Sequence, residues 1–403
     1  MTPQIKQRLD QIRQGQVPSG YKRTRARIVP NEWQLYTISD CLEKVDNPVQ
    51  VEPNTLYTQI GIRSHGKGLF YKEPILGKEL GNKSVFWIEP NCFVLNIVFA
   101  WEQAIGRTTD DEVGMIASHR FPMYRPINNC VDLDFLTYYF LTKRGTDVLD
   151  AASPGGAGRN RTLGQDRFVN SKIMLPPLPE QQKIAEILSA QDKLIALKEK
   201  LIEEKKRQKK YLMQQIFCNR TFKDKFSSQW DTVELQEVIE YEQPTKYLVE
   251  TTDYSNKYST PVLTAGKSFV LGYTNEVHGI YKQFPVIIFD DFTTDSKYVD
   301  FPFKAKSSAM KILKVKENYD IRFAFELLQS INYVVCGHER HWISVFSHMT
   351  VDVPSYEAQV KISRIIEKAD KEIKLLEQDL NQEKQKKKAL MQLLLTGIVR
   401  VNP

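Results

Sequence analysis

Four groups of residues in this chain have types and spacings that could do chemistry, and each is short of a component its chemistry needs. Gly61 to Gly68 runs as G-x-x-x-x-G-K, the spacing of a phosphate-cradling loop, but Gly68 stands where a Ser or Thr must hold magnesium. Leu175-Pro176-Pro177-Leu178 has the proline pair of an Asn-Pro-Pro-Tyr motif. It lacks the amide that binds a target amino group and the aromatic that stacks on a flipped base. Cys336, His338, His341 and His348 form a metal-like cluster, yet their spacing fits no zinc pattern, and alternation along a strand points them to different faces. Asp290-Asp291 beside Phe289 could be a nuclease carboxylate pair. No lysine-bearing motif follows at close spacing, and a strand-end turn is the simpler reading. The expectation is no catalytic site and no metal site in this chain.

Binding chemistry is better supplied. The segment from Tyr57 to Gly68 places Arg63, His65 and Lys67 on glycine-rich backbone, and Ser153 to Arg161 does the same for Arg159, Asn160 and Arg161. Such loops let backbone approach phosphates and offer guanidinium and amide forks to base edges. His338, Arg340 and His341, in Gly337-His338-Glu339-Arg340-His341-Trp342, stand before the second long helix where Arg159, Asn160 and Arg161 stand before the first. Taken singly, each segment also reads as an ordinary surface loop. A further basic stretch, Lys22, Arg23, Arg25 and Arg27, is expected on an N-terminal loop.

The elements that must position these loops come from a repeat. Residues 181–214 and 359–392 match at 15 of 34 positions at a fixed offset of 178, among them Gln181/Gln359, Asp192/Asp370, Leu197/Leu375 and Leu212-Met213-Gln214/Leu390-Met391-Gln392. A repeat this long marks a duplicated unit, read as globular domain, long helix, globular domain, long helix. Phe168/Phe346 and Pro176/Pro354 keep the offset, whereas Trp33 and Trp230 are 197 residues apart, so the first globular part is 19 residues longer. The helices kept register while the globular parts drifted, as expected if the helices share one constant job and each globular part meets its own target.

Both helices carry a seam stepping by four and three residues. In the first it includes Ile184, Leu188, Ile195, Ile202 and Leu212, with Gln191, Lys198, Lys205 and Lys209 as a polar break. In the second it includes Ile362, Ile366, Ile373, Leu376, Leu380 and Leu390, with Glu383 and Lys387. A period of 3.5 predicts a coiled coil, and two helices of one chain can supply both strands. Glu180-Gln181 after Pro176-Pro177-Leu178-Pro179 predicts a helix over 179–217, and Gly397 predicts the stop of the second. With over a hundred residues between the helices, an antiparallel pair is the economical geometry, a rod of fixed length. A plain stalk or dimerisation coil is the bland alternative.

Composition sets limits: 403 residues allow two or three domains, and 41% hydrophobic with 11% aromatic suffices for buried cores. The globular parts read as mixed α/β, with extended runs at 92–99, 284–289 and 333–336 and helices near 133–141 and 321–329. No apolar run reaches the ~18 residues of a membrane span. Five scattered cysteines argue against a disulfide framework, so a cytoplasmic protein without membrane contact is expected. Net charge is +7, concentrated on the long helices, and favours a polyanionic partner.

At this point the chain resembles the specificity subunits of type I restriction-modification enzymes. The residues that carry the likeness are Leu175 to Ile184, reading LPPLPEQQKI, Leu212-Met213-Gln214-Gln215, and the closing Gln392-Leu393-Leu394-Leu395-Thr396-Gly397. Gly20-Tyr21-Lys22 followed by Ile28 to Trp33 is similar to a domain start of that family. The second helix departs from the pattern, with Pro354-Ser355-Tyr356-Glu357-Ala358-Gln359 in place of the proline-rich entry.

The resemblance implies two similar mixed α/β (α+β) target-recognition domains, each reading half of a split double-stranded DNA sequence, joined by an antiparallel coiled coil. The expected layout is a basic segment 1–29, a recognition domain 30–175, a spacer helix 176–219, a second recognition domain 220–353 and a C-terminal spacer helix 354–398. It also implies that the chain itself binds no cofactor. Two modification subunits would bring S-adenosylmethionine, and restriction subunits would bring ATP and magnesium. The rival from another class is a self-contained DNA-modifying or DNA-cleaving enzyme that uses the coil only to dimerise.

Overall fold

In a computed structural model of the chain, residues 3–24, 27–81, 84–155, 161–227, 229–264, 268–333 and 340–401 are described. They fall into two compact units, Met1–Leu197 with Leu380–Pro403, and Lys198–Asp379. The cuts run inside the long helices rather than at 176 and 354, because each half-helix packs on the globular core at its own end.

In the first unit, Gln34–Thr37 pairs antiparallel with Lys172–Leu175, so the strand entering the globular part is stitched to the one leaving it. The Thr37 N–H donates to Asp40 Oδ2 at 2.9 Å and opens the short helix Ile38–Cys41. That turn feeds Leu42–Val45, the edge of a four-stranded antiparallel sheet ordered Leu42–Val45, Met123–Pro126, Phe93–Leu95, Ile105–Arg107. All three residues of Phe93–Leu95 are buried, as a run covered on both faces requires. Phe93, Tyr124, Phe140 and Phe168 form the aromatic centre of the core, which Ile184, Leu188 and Leu394 of the long helices close together with Leu395 just beyond.

The second unit repeats the plan. Trp230–Glu234 pairs with Thr350–Pro354, the short helix Leu235–Val238 follows, and the sheet order is Ile239–Glu242, Met310–Val315, Val286–Asp290, Ser296–Val299. The 197-residue offset of the tryptophans thus carries Ile38 onto Leu235 and Leu42 onto Ile239, while the 178-residue offset carries Lys172 onto Thr350. The expected helices at 133–141 and 321–329 are Leu133–Phe140 and Ile321–Ser330. Each is opened by an aspartate, Asp132 Oδ1 accepting from Phe135 N and Asp320 Oδ1 from Phe323 N, both at 2.8 Å. Of the expected extended run at 333–336, all but Tyr333 lies outside the described residues.

The N-terminal basic stretch differs from expectation. Lys22 and Arg23 lie on a strand, Tyr21–Arg23, paired with Ile28–Pro30 rather than on a loop, and Arg25 lies outside the described residues. The segment is tied to the chain's other end: Arg8 donates to Ile398 O at 2.8 Å and Tyr21 Oη to Gly397 O at 2.7 Å. Gly397, the expected helix stop, has φ +75°, and a Cβ there would lie 2.7 Å from the Pro30 ring, so only glycine fits.

The long helices are Leu178–Cys218 and Tyr356–Leu394, each close to the expected span. All the seam residues named above are buried or half-buried, whereas Leu197 and Leu375, off the seam, are exposed. The pairing is antiparallel in each unit. In the first, Gln191 Nε2 donates to Glu383 Oε2 at 2.7 Å and Lys387 meets Asp192 at 2.5 Å. In the second, Lys198 meets Asp379, Lys205 meets Glu372 at 2.6 Å and Lys209 meets Asp370 at 2.7 Å. The polar break is therefore cross-paired, and one ion pair is itself duplicated: Asp192–Lys387 and Asp370–Lys209 map onto each other at the offset of 178.

Candidate nucleic-acid interface

Arg63, His65 and Lys67 sit on the tip between the paired strands Ile60–Ile62 and Leu69–Tyr71, and all three side chains are exposed. The tip is a built turn. Arg63 N donates to Gly68 O at 3.0 Å and His65 N to Glu102 O at 2.7 Å, while His65, Gly66 and Gly68 take positive φ. The Arg63 guanidinium lies 4.8 Å from the Phe70 ring centroid and donates to Leu69 O, which leaves a preset, exposed cation. Lys67 is exposed beside it.

The second predicted loop is only partly described, since Arg159 and Asn160 lie outside the described residues. Arg161 is engaged by its own domain. It pairs with Asp150 at 2.7 Å, donates to Ser153 O at 3.3 Å and lies 5.5 Å from the Trp101 centroid. It therefore anchors the base of that loop.

In the second unit, His338 and Cys336 lie outside the described residues and Arg340 is exposed. His341 is the correction: it is 2% exposed, its N–H donates to Asp291 O at 2.9 Å, and its ring stands 3.3 Å from Tyr333 Oη. A histidine so enclosed belongs to the core, not to a DNA-facing surface. Asp290 does cap a strand-end turn, accepting from Phe292 N at 2.9 Å and Thr293 N at 3.3 Å. Asp291 is buried against Lys311 at 3.4 Å and accepts from Trp342 N at 2.9 Å. That lysine comes from the neighbouring strand Met310–Val315, a partner the local sequence does not reveal.

Three further features emerge only from the fold. A cavity of about 780 Å³ is lined by Lys22, Arg27 and Arg144 around Trp33 and Met174. Burial, with the like charge of Arg27 beside it, pushes the Arg144 guanidinium down to about 10, so an arriving anion would relieve it. The second feature is a duplicated glutamine clamp. Gln181 Nε2 donates to Pro176 O and its Oε1 accepts from Asp132 N, each at 2.9 Å. Gln359 Nε2 donates to Pro354 O and its Oε1 accepts from Asp320 N, again at 2.9 Å. Each clamp locks the first turn of a long helix to the strand before it and to the capped helix of its domain. The shared Gln181/Gln359 was the visible signal, and its acceptors and donors were not. Third, Arg400 donates to Glu180 at 2.6 and 2.8 Å and also meets Glu32, fixing the helix start expected at Glu180.

Replacing Gln181 by Ala takes the partner from the half-buried Asp132 N–H and the buried Pro176 C=O, and removes a bond to Cys130 O, a loss of about 2 kcal/mol locally. Hydrogen exchange in helix Leu133–Phe140 is expected to quicken about thirtyfold, and Gln359→Ala should do the same to Ile321–Ser330. Unchanged exchange in both helices would show that the clamps carry no such load.

Among the described residues no group of three or more His, Cys, Asp or Glu is placed to hold a metal ion, and no helix is long and apolar enough to cross a membrane.

The geometry defines a duplicated domain mounted on an antiparallel helical pair. Comparison with known proteins gives it a family: the chain matches the type I restriction modification DNA specificity domain twice, over residues 30–207 and 227–385. The chain belongs to that family. It is 47% identical over 147 residues to the type I restriction enzyme EcoR124I/EcoR124II specificity subunit of Escherichia coli, a stretch covering 33% of this chain and 36% of that protein. It is 27% identical to the type I restriction enzyme MjaVIII specificity subunit of Methanocaldococcus jannaschii over 94% of this chain and 96% of that one. The fold matches the S subunit of a type I restriction-modification system from M. genitalium, with a TM-score of 0.58 at 14% identity, covering 90% of this chain and 96% of that one. A chain from a structural study of type I R-M complex assembly matches with a TM-score of 0.56 at 14% identity, covering 92% and 99%.

Proposed function

We propose that this chain is the non-catalytic, DNA-reading subunit of a type I restriction-modification complex, working in the cytoplasm. Each recognition domain reads one half of a split sequence in double-stranded DNA, and the helical pair sets the gap. Methyl transfer with S-adenosylmethionine falls to two modification subunits, and ATP-driven cleavage with magnesium to restriction subunits. The observation that carries the reading is the duplication: identical order of the four-stranded sheets, clamps and helix register support two readers of one kind. Arg63, His65, Lys67 and Arg340 are the described, exposed members of the DNA-contacting set, with Arg159, Asn160 and His338 alongside them.

The testing experiment compares methyl incorporation into DNA by the chain alone, by the modification subunit encoded with it, and by both together. Only the mixture should label DNA, and the labelled sites should share one bipartite sequence. Transfer by the chain alone would move the reading to a self-contained enzyme. Phosphate contacts should also make affinity fall steeply with salt. Changing Arg63 and Lys67 together to Ala should flatten the log–log salt slope by about 1.8, roughly 0.9 per contact, and weaken protection of one half-site only. An unchanged slope would remove this hairpin from the interface.

A further inference from the structure

The two units part company around the tryptophan that opens each domain. In the second unit Trp230 donates its indole N–H to Lys223 O at 3.3 Å, and the Lys223 ammonium lies 5.0 Å from the Trp230 ring centroid. That lysine pairs with Asp352 at 2.7 Å, and Asp352 accepts from Thr232 Oγ1 at 2.8 Å. The cavity there, about 540 Å³, thus holds its own cation and its own anion.

In the first unit the offset of 178 puts Met174 where Asp352 stands, and the offset of 197 puts Trp33 and Leu35 where Trp230 and Thr232 stand. The carboxylate is gone and the cations have multiplied. Lys22, Arg27 and Arg144 line the cavity of about 780 Å³, and among the described residues none of the three makes an ion pair. Arg144 is the most confined. Its Nη1 is buried without a hydrogen-bond partner, and Arg27 stands beside it with the same charge. It also occupies the first turn of helix Lys143–Ala152, the positive end of the helix dipole, where a cation is disfavoured. Trp33, 1% exposed, keeps its indole N–H without a partner as well. Buried donors left unpaired beside like charges are destabilising, and the second unit shows that the architecture does not require them.

The chemistry that relieves this arrangement is an oxyanion carrying more than one charge. Two guanidinium groups and an ammonium exceed what a single carboxylate neutralises, and guanidinium forks match phosphate oxygens. The cavity is also far larger than a phosphate ion, and its other walls, Trp33, Leu35 and Met174, are apolar.

We infer that the first unit carries a phosphate site: Arg27 and Arg144 hold the oxygens of a phosphate ester, Lys22 adds charge from the exposed rim, and the ester's organic part lies against Leu35 and Met174. The second unit has no counterpart, because Asp352 takes the place of the anion. The ligand is therefore bound once per chain, whether or not the chain reads DNA. Lys22 and Arg27 belong to the N-terminal segment and Arg144 to helix Lys143–Ala152, so a bound phosphate ties the one to the other.

The test titrates the full chain, without DNA, with inorganic phosphate and with adenosine monophosphate by calorimetry, and follows hydrogen exchange in helix Lys143–Ala152. One ligand should bind per chain, the monophosphate more tightly, and exchange in that helix should slow. Arg144→Gln and Met174→Asp should each weaken both ligands by about tenfold or more, the first by removing a guanidinium, the second by restoring the carboxylate of the second unit. Met174→Leu should bind as the wild type does, which separates charge from packing. If neither free ligand binds at millimolar concentration, while Arg144→Gln and Met174→Asp weaken gel shifts on duplex DNA and Met174→Leu does not, the site stands and its phosphate comes from the nucleic-acid backbone. Free phosphate that binds the wild type and all three variants equally overturns the inference. So does a wild type that binds neither ligand, with variants that leave DNA affinity unchanged.

Discussion

A fragment of residues 1–217 is expected to associate in pairs and, with modification subunits, to direct methylation to an inverted repeat of the first half-site. It holds one recognition domain and all but the last residue of the first long helix, and a second copy's helix can take the place of Tyr356–Leu394 at the offset of 178. The pairs of the intact chain say how well. Lys209 would again meet Asp192, standing in for Asp370, and Lys206 would meet Glu199 in place of Glu377. Lys198 would lose Asp379 for Leu201, and Lys205 would lose Glu372 for Leu194. The two pairs of the intact coil are lost in the dimer's single coil, at roughly 0.5–1 kcal/mol each, or roughly 1–2 kcal/mol in all, and four lysines are left facing leucines. The dimer should therefore come apart on dilution. Lys198→Leu with Lys205→Glu, the residues the second helix has at these positions, should tighten it by at least about tenfold. Sedimentation across a concentration series checks this. A fragment that stays monomeric when concentrated, or a complex that marks only the original asymmetric sequence, contradicts interchangeable halves.

Lengthening both helices by one heptad, after Ile202 in the first and after Leu380 in the second, should widen the unread gap in the target without changing either half-site. Seven residues add about 10.5 Å of helix, or about three base pairs at ~3.4 Å each. They also keep the 3.5-residue seam in phase. The same insertion in one helix alone should abolish recognition, because the paired positions then slip by a heptad. Selection of preferred gaps from a library of spacers between fixed half-sites is the check. A preferred gap that does not move, at full affinity, would show that the helices do not set the distance.

The rod was the most legible part of the chain because its determinants are local: a 3.5-residue apolar period, a proline-rich entry and a glycine stop act within a few turns. The internal repeat added what periodicity could not, since Trp33 and Trp230 at one offset and Pro176 and Pro354 at another located the paired entry and exit strands of both units. The order of the sheets was not readable, because it depends on pairings between distant strands such as Leu42–Val45 with Met123–Pro126. The same non-local physics misplaced His341. Its basic and glycine-bearing neighbours suggest a surface loop, but Asp291 from another strand claims the backbone at 341 and 342 and draws the ring inward. The N-terminal basic stretch became a strand for a similar reason, since its partner Ile28–Pro30 is braced by Gly397 from the far end of the chain. Gln181 and Gln359 were visible as an identical pair. What they clamp required the positions of Asp132 and Asp320.

On the proposed function, two domains of one chain read two separated halves of a DNA target for a partner that does the chemistry. The decisive measurement maps every methylated base in a cell that carries this chain and its modification subunit, beside a cell in which residues 220–353 are replaced by the corresponding domain of another family member. The first cell should show a split motif with a fixed gap, and the second a motif with one half changed and the other half and the gap preserved. A continuous motif, or a swap that alters both halves together, would overturn the proposal.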